Sequence, residues 1–112
     1  NKFIHCIVHP TGRLMGVRDA YEIDFEEIYK AARDTNTAIE INAYPERMDL
    51  TDINCHRAKE VGVKLAISTD AHTKDQLDNI LFGISVARRG WIEKDDVLNT
   101  LSLNDLLKGI KK

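Results

Sequence analysis

Asp70 and His72, in the run Ile67-Ser68-Thr69-Asp70-Ala71-His72, put a carboxylate and an imidazole two residues apart where an apolar segment ends. Side chains alternate along an extended segment, so the pair is expected to point the same way. An acid and an imidazole aimed into one space suit a divalent metal, and an ordinary core avoids them unless each has a partner. The competing reading is a loop whose carboxylate caps backbone amides beside an exposed histidine. Two further polar positions have the same setting: His9, ahead of Pro10-Thr11-Gly12-Arg13, and Glu40, which shares a strand face with Asn42. Glu40 follows His9 by 31 positions and Asp70 follows Glu40 by 30.

That spacing calls for a repeating unit to position the three groups. Phe3 to Val8 is apolar and β-branched apart from Cys6 and His5, and reads as a buried strand ending at His9. Asp24 is a helix N-cap with Glu27 in the capping-box position, and Phe25, Ile28, Tyr29 and Ala32 form an inward stripe. Thr37 to Ile41 is a second strand, followed by a helix from about Thr51 to Val61 that stops at Gly62. Val63 to Ser68 is a third strand. Thr73, with Gln76 in the capping-box position, opens a helix whose stripe is Leu77, Ile80, Leu81 and Ile84, ending before Gly90. Two short helices follow from about Lys94 and Leu103, the second capped by Ser102.

Strands alternating with crossover helices predict an α/β fold with a parallel sheet covered by helices, and each unit delivers one polar group to the rim where such sheets bind ligands. Three strands are too few to close a barrel, so the choice lies between a small open sheet and part of something larger.

The chain has 112 residues, 43% apolar and 30% charged, with a formal net charge of −2. This describes one soluble domain without a global positive field to gather nucleic acid, so phosphate contacts would fall to local arginines. No apolar run approaches the ~20 residues that span a bilayer. Two cysteines without Cys-x-x-Cys spacing, and no secretory segment at the start, argue for a reducing, cytoplasmic setting. Cys6 reads as an inert buried thiol among apolar neighbours, His5 as a core histidine, His56 as a solvated helix residue, and Trp91 as packing over a helix end.

His9-Pro10-Thr11-Gly12-Arg13, Glu40-Ile41-Asn42-Ala43, Ser68-Thr69-Asp70-Ala71-His72 and Ala87-Arg88-Arg89-Gly90-Trp91, in this order and at these spacings, resemble the last third of a PHP (polymerase and histidinol phosphatase) domain. They are most similar to the C-terminal PHP domain of bacterial and archaeal family-X DNA polymerases. The resemblance covers almost the whole chain and implies the C-terminal part of a distorted (β/α)7 barrel that binds up to three divalent metals, Mn or Zn.

On that resemblance His9, Asp70 and His72 are metal ligands. The other six ligands, the earlier barrel strands and a polymerase domain are expected upstream, so residues 1–112 would be one portion of a single domain. The implied reaction is hydrolysis of phosphodiesters at DNA 3′ ends, in a protein that also polymerises DNA in repair. Arg13 would meet a phosphate, Asn42 and Arg47 would touch substrate, and Glu40 would orient the site or substrate. Two alternatives remain: a stand-alone phosphatase acting on a small phosphomonoester such as histidinol phosphate, and a metal-free module that braces a polymerase. The isolated chain is expected to turn over poorly and to self-associate through exposed strand edges.

Overall fold

The computed structural model describes residues 1–110. In chain order the elements are β1 (Cys6–Ile7), α1 (Phe25–Asp34), β2 (Ala38–Asn42), α2 (Asp52–Val61), β3 (Leu65–Ser68), α3 (Ile80–Arg89) and α4 (Leu103–Gly109). Short 3-10 segments cover Lys74–Asn79, Lys94–Asp96 and Leu98–Thr100. The three strands form one parallel sheet in the order β1-β2-β3, so the expected strand and helix units and α/β class are present.

Strand register sorts the side chains into two unlike faces. Ile7 pairs with Ile39, Ile39 with Leu65, and Ile41 with Ile67, which puts branched apolar residues on one face. On the other, Cys6 pairs with Ala38, Glu40 with Ala66, and Asn42 with Ser68. The apolar face packs against Tyr29 and Ala32 of α1, Cys55 and Ala58 of α2, and Val86 and Ala87 of α3, with Leu50 and Val63 filling between them. Full burial of Ile39, Ile41, Leu50 or Leu65 contributes roughly 1.5–3 kcal/mol each, so this face holds most of the cohesion. Helices cover the apolar face, and the opposite face carries the small and polar residues.

Local signals set most helix ends. The Asp24 side chain accepts from the Glu27 amide, Thr51 from the Asn54 amide, and Ser102 from the Asp105 amide. Gly62 ends α2 in the left-handed conformation at φ 98°, which costs glycine little and other residues more. The two expected capping boxes do not form. Glu27 pairs instead with Lys30, and Gln76 Oε1 accepts the amide of His72 while Thr73 makes no capping bond.

Three expectations about burial are corrected. The first strand shortens to two residues at the sheet edge, and Phe3, Ile4 and Val8 are exposed. An edge strand has one neighbour, so a continuous apolar run does not guarantee burial there. The stripe on the third helix is also mostly exposed. The helix expected from Thr73 opens as the 3-10 segment, whose Leu77 faces outward with Leu81 and Ile84 of α3, while Gly83, Val86 and Ala87 meet the sheet. A Cβ on Gly83 would lie 2.6 Å from Ile67 Cγ2, so the small residues allow the closer approach and win the interface. Cys6 is half-buried rather than enclosed.

The outer edge of β3 is covered by a segment whose sequence gives no strand signal. Leu65 bridges Val97 in parallel, and the Asn99 amide bonds both the N–H and the C=O of Ile67 at 2.8 Å. A side-chain amide here does the work of a neighbouring strand.

Candidate functional site

The C-terminal ends of the three strands converge on a buried polar network centred on β2. Glu40 and Asn42 are two apart on that strand, share its polar face, and are almost wholly buried. Asn42 Nδ2 donates to Glu40 Oε2 at 3.2 Å and to Asp70 Oδ2 at 3.3 Å, while its Oδ1 accepts the Tyr44 amide at 3.0 Å. Asn42 therefore links the strand to the Asp70 loop and also fixes the turn that follows β2.

Glu40 completes the connection to the first strand. Its Oε2 accepts the backbone amide of His9 at 2.5 Å, and its Oε1 accepts the Ser68 hydroxyl. A buried carboxylate without an adjacent cation needs several donors, and it has three. Burial, and after it the charge of Glu40, pushes the Cys6 thiol up to about 11, so Cys6 is an unreactive neighbour.

The loop after β2 is pinned by Asp49. Asn42 and Asp49 exchange backbone hydrogen bonds, and Asp49 Oδ2 accepts both the amide and the hydroxyl of Thr11, at 2.9 and 2.7 Å. Arg13 Nε and Nη2 each reach a carbonyl of that loop, of Arg47 and Met48 respectively, at 2.5 Å. Arg47 Nη1 returns to the Arg13 carbonyl at 3.3 Å, so the loops after β1 and β2 clasp one another. Arg13, expected to face a phosphate, thus braces the two loops. Arg47 Nε lies 3.2 Å from Asp70 Oδ2, and both side chains are largely shielded.

The three expected ligands stand on the same rim, but His9 and Asp70 lie beyond the ends of their strands. β1 ends at Ile7 and β3 at Ser68, with His9 at φ 29° and Asp70 at φ 54°. These are left-handed conformations that non-glycine residues adopt at a cost and that persist where surrounding bonds hold them. The alternation expected to align Asp70 with His72 therefore does not extend through this loop.

Instead, His72 turns back so that Nδ1 meets the Asp70 carbonyl at 2.7 Å, and its ring is exposed. A carbonyl can only accept, so Nδ1 carries the proton and Nε2 of the neutral ring keeps its lone pair. Backbone anchoring of one ring nitrogen is the usual way to orient the other toward a metal. The donor types at Asp70 and His72 therefore fit a divalent ion. Among the described residues no three His, Cys, Asp or Glu side chains gather as a metal-holding group, so His9, Asp70 and His72 do not form a closed shell within this chain.

Asp49, Thr11 and Ser68 were not singled out from the sequence. Ser68 joins the site through its register opposite Asn42, which the tertiary structure sets. Asp49 and Thr11 meet across 38 positions with no periodic relation to either strand.

No family model matches the chain. Over all 112 residues it is 47% identical to the DNA polymerase/3′-5′ exonuclease PolX of Bacillus subtilis (strain 168), of which it spans 20%, in the C-terminal part. Over 106 residues, 89% of the chain, it is 31% identical to a protein named probable phosphatase from Thermoanaerobacter sp. (strain X514), of which it spans 41%. Over 80 residues it is 40% identical to a probable phosphatase of Caldicellulosiruptor bescii. The chain thus spans between a fifth and about two fifths of these relatives. With the motifs carried on the rim of a parallel sheet and similarity running the length of the chain, the chain belongs to the PHP family and is similar to the C-terminal part of a family-X DNA polymerase.

Proposed function

We propose that the chain forms the closing part of a metal-dependent phosphoesterase site in a family-X DNA polymerase, acting on phosphodiesters at DNA 3′ ends. The observation that carries this reading is the hydrogen-bonded path from His9 through Glu40 and Asn42 to Asp70, which joins the ends of all three strands on one rim. The exonuclease in the name of the Bacillus relative supports a DNA substrate.

In this reading His9, Asp70 and His72 hold metal together with donors from upstream strands, and the polar face of the sheet belongs to the interior of the (β/α)7 barrel. The chemistry that Mn or Zn supplies when bound is positive charge beside the phosphoryl oxygens and a water acidified for attack. Glu40 acts as a positioning residue, because it fixes the strained His9 backbone and both of its carboxylate oxygens accept bonds from within the chain. Asn42 couples that residue to Asp70. Arg13 locks the loop that carries Arg47, leaving Arg47 as the cation nearest the reacting phosphate. The site lies in the cytoplasm, in the same polypeptide as a polymerase domain.

A small-phosphomonoester phosphatase is the second reading, favoured by the names of the phosphatase relatives. Manganese content and hydrolysis are compared for the full-length protein and its Asp70→Ala and His72→Ala forms, on 5′-labelled DNA and on p-nitrophenyl phosphate. Loss of metal and of 3′ trimming in both variants is expected. Unchanged metal and activity would overturn the assignment, and turnover of the monoester alone would favour the second reading.

A further inference from the structure

We infer that Arg47 is an exchangeable counter-ion of Asp70: its guanidinium occupies the carboxylate that a divalent ion takes, and metal binding releases it. The inference rests on the metal reading above and concerns a competition that reading does not require. Arg47 approaches Oδ2 through Nε alone, at 3.2 Å, rather than through the two-pronged fork that makes arginine and carboxylate pairs strong. Asn42 Nδ2 shares the same oxygen at 3.3 Å, so Oδ2 is crowded with moderate donors.

The pair is shielded from water, with side-chain exposures of 14% and 28%, so the charges are poorly screened. A metal bound to that carboxylate would sit about 2.0–2.6 Å from its oxygen, close enough for strong repulsion from the guanidinium. The two cations compete for Oδ2, the oxygen that Arg47 holds. Arg47 has somewhere to go, because its loop is held independently. The Asn42–Asp49 backbone bridge, Asp49 with Thr11, and Arg13 with the carbonyls of residues 47 and 48 all hold the loop through atoms other than the Arg47 guanidinium. Release would therefore turn Nε away from Asp70 while the loop stays in place and Nη1 keeps the Arg13 carbonyl, and a guanidinium with Nε exposed on that rim is suited to a phosphate.

Competition makes a counter-intuitive forecast: deleting a positive residue beside the site should strengthen metal binding. Mn2+ alone is titrated calorimetrically into the full-length protein and into its Arg47→Gln and Arg47→Lys forms, with circular dichroism to check folding. Arg47→Gln is expected to bind roughly three- to tenfold tighter, the scale of a modest ion pair, and Arg47→Lys to stay near the parent. Binding that is unchanged or weaker in folded Arg47→Gln overturns the exchange alone. Absence of Mn2+ binding in every form overturns the metal reading and the exchange with it.

A measurement on the parent covers the case in which Arg47→Gln does not fold. Zn2+ is added to 15N-labelled protein, and solvent exchange of the Arg47 Nε–H is followed by NMR. Faster exchange on saturation supports release, and an unchanged rate with Zn2+ bound refutes it.

Discussion

Replacing Asn42 by alanine removes three hydrogen bonds at once, and the cost can be assembled from their surroundings. The Tyr44 amide loses a neutral acceptor, at about 1 kcal/mol. Glu40 is buried and loses one of three donors, at about 1.5–2 kcal/mol for a bond to a charged group. Asp70 keeps its Arg47 partner when this bond is lost, so the loss costs about 0.5 kcal/mol. The sum is about 3 kcal/mol, a large share of the 5–15 kcal/mol that typically separates folded from unfolded domains. With a denaturant slope of about 1.5–2 kcal/mol per molar for a domain of this size, the urea midpoint should fall by about 1.5–2 M.

The isosteric Asn42→Asp change separates hydrogen bonding from volume. It keeps an acceptor for the Tyr44 amide but puts a third carboxylate between Glu40 and Asp70. Repulsion and burial raise the folded pKa of the introduced acid. Its neutral form is therefore the tolerated one. The variant should be least penalised below the ordinary aspartate range and should lose stability as pH rises through the raised value. Urea unfolding at pH 5 and pH 8, followed by circular dichroism, tests both parts. An Asn42→Ala loss under about 1 kcal/mol, or an Asn42→Asp form no weaker than Asn42→Ala at pH 8, would show that the network does not hold the rim together.

Two other perturbations probe the framework. Gly83→Ala should cost about 1–3 kcal/mol and lower the melting temperature by about 5 °C or more, because the new methyl meets Ile67 Cγ2 at 2.6 Å and Ala43 Cβ at 2.9 Å. Gly109→Ala, with nothing within 4 Å, is the control and should be neutral or slightly stabilising by calorimetry. Burial pushes the Cys55 thiol from its ordinary 9.0 up to about 12, so the folded state keeps its proton longer than the unfolded chain. Stability from this group is complete below pH 9 and declines from there toward pH 12, with a slope approaching about 1.4 kcal/mol per pH unit. Alkaline unfolding should therefore be shallower in Cys55→Ala; equal slopes would contradict the assignment.

Much of the framework is local and hence legible in the sequence. Asp24, Thr51, Ser102 and Gly62 act through bonds to residues within four positions, so their spacing alone locates three helix starts and one stop. The period of strand and helix also placed His9, Glu40 and Asp70 on one rim, because parallel strands all end on the same side. Glu40 and Asn42 were placed on one face correctly, since β2 remains extended through both.

Tertiary structure decided what alternation could not. His9 and Asp70 leave their strands in left-handed turns, so their side chains are aimed by the Glu40, Asn42 and Arg47 bonds rather than by strand geometry. The third helix buries Gly83, Val86 and Ala87 because sheet contact rewards close approach, which its larger Leu81 and Ile84 prevent. Asp49 with Thr11, and Asn99 with Ile67, join residues more than 30 positions apart through single side chains, and no periodicity records such pairs. The sequence determined which chemical groups reach the rim, through local bonds and strand period; the packed chain determined which of them touch, because orientation there depends on partners distant in sequence.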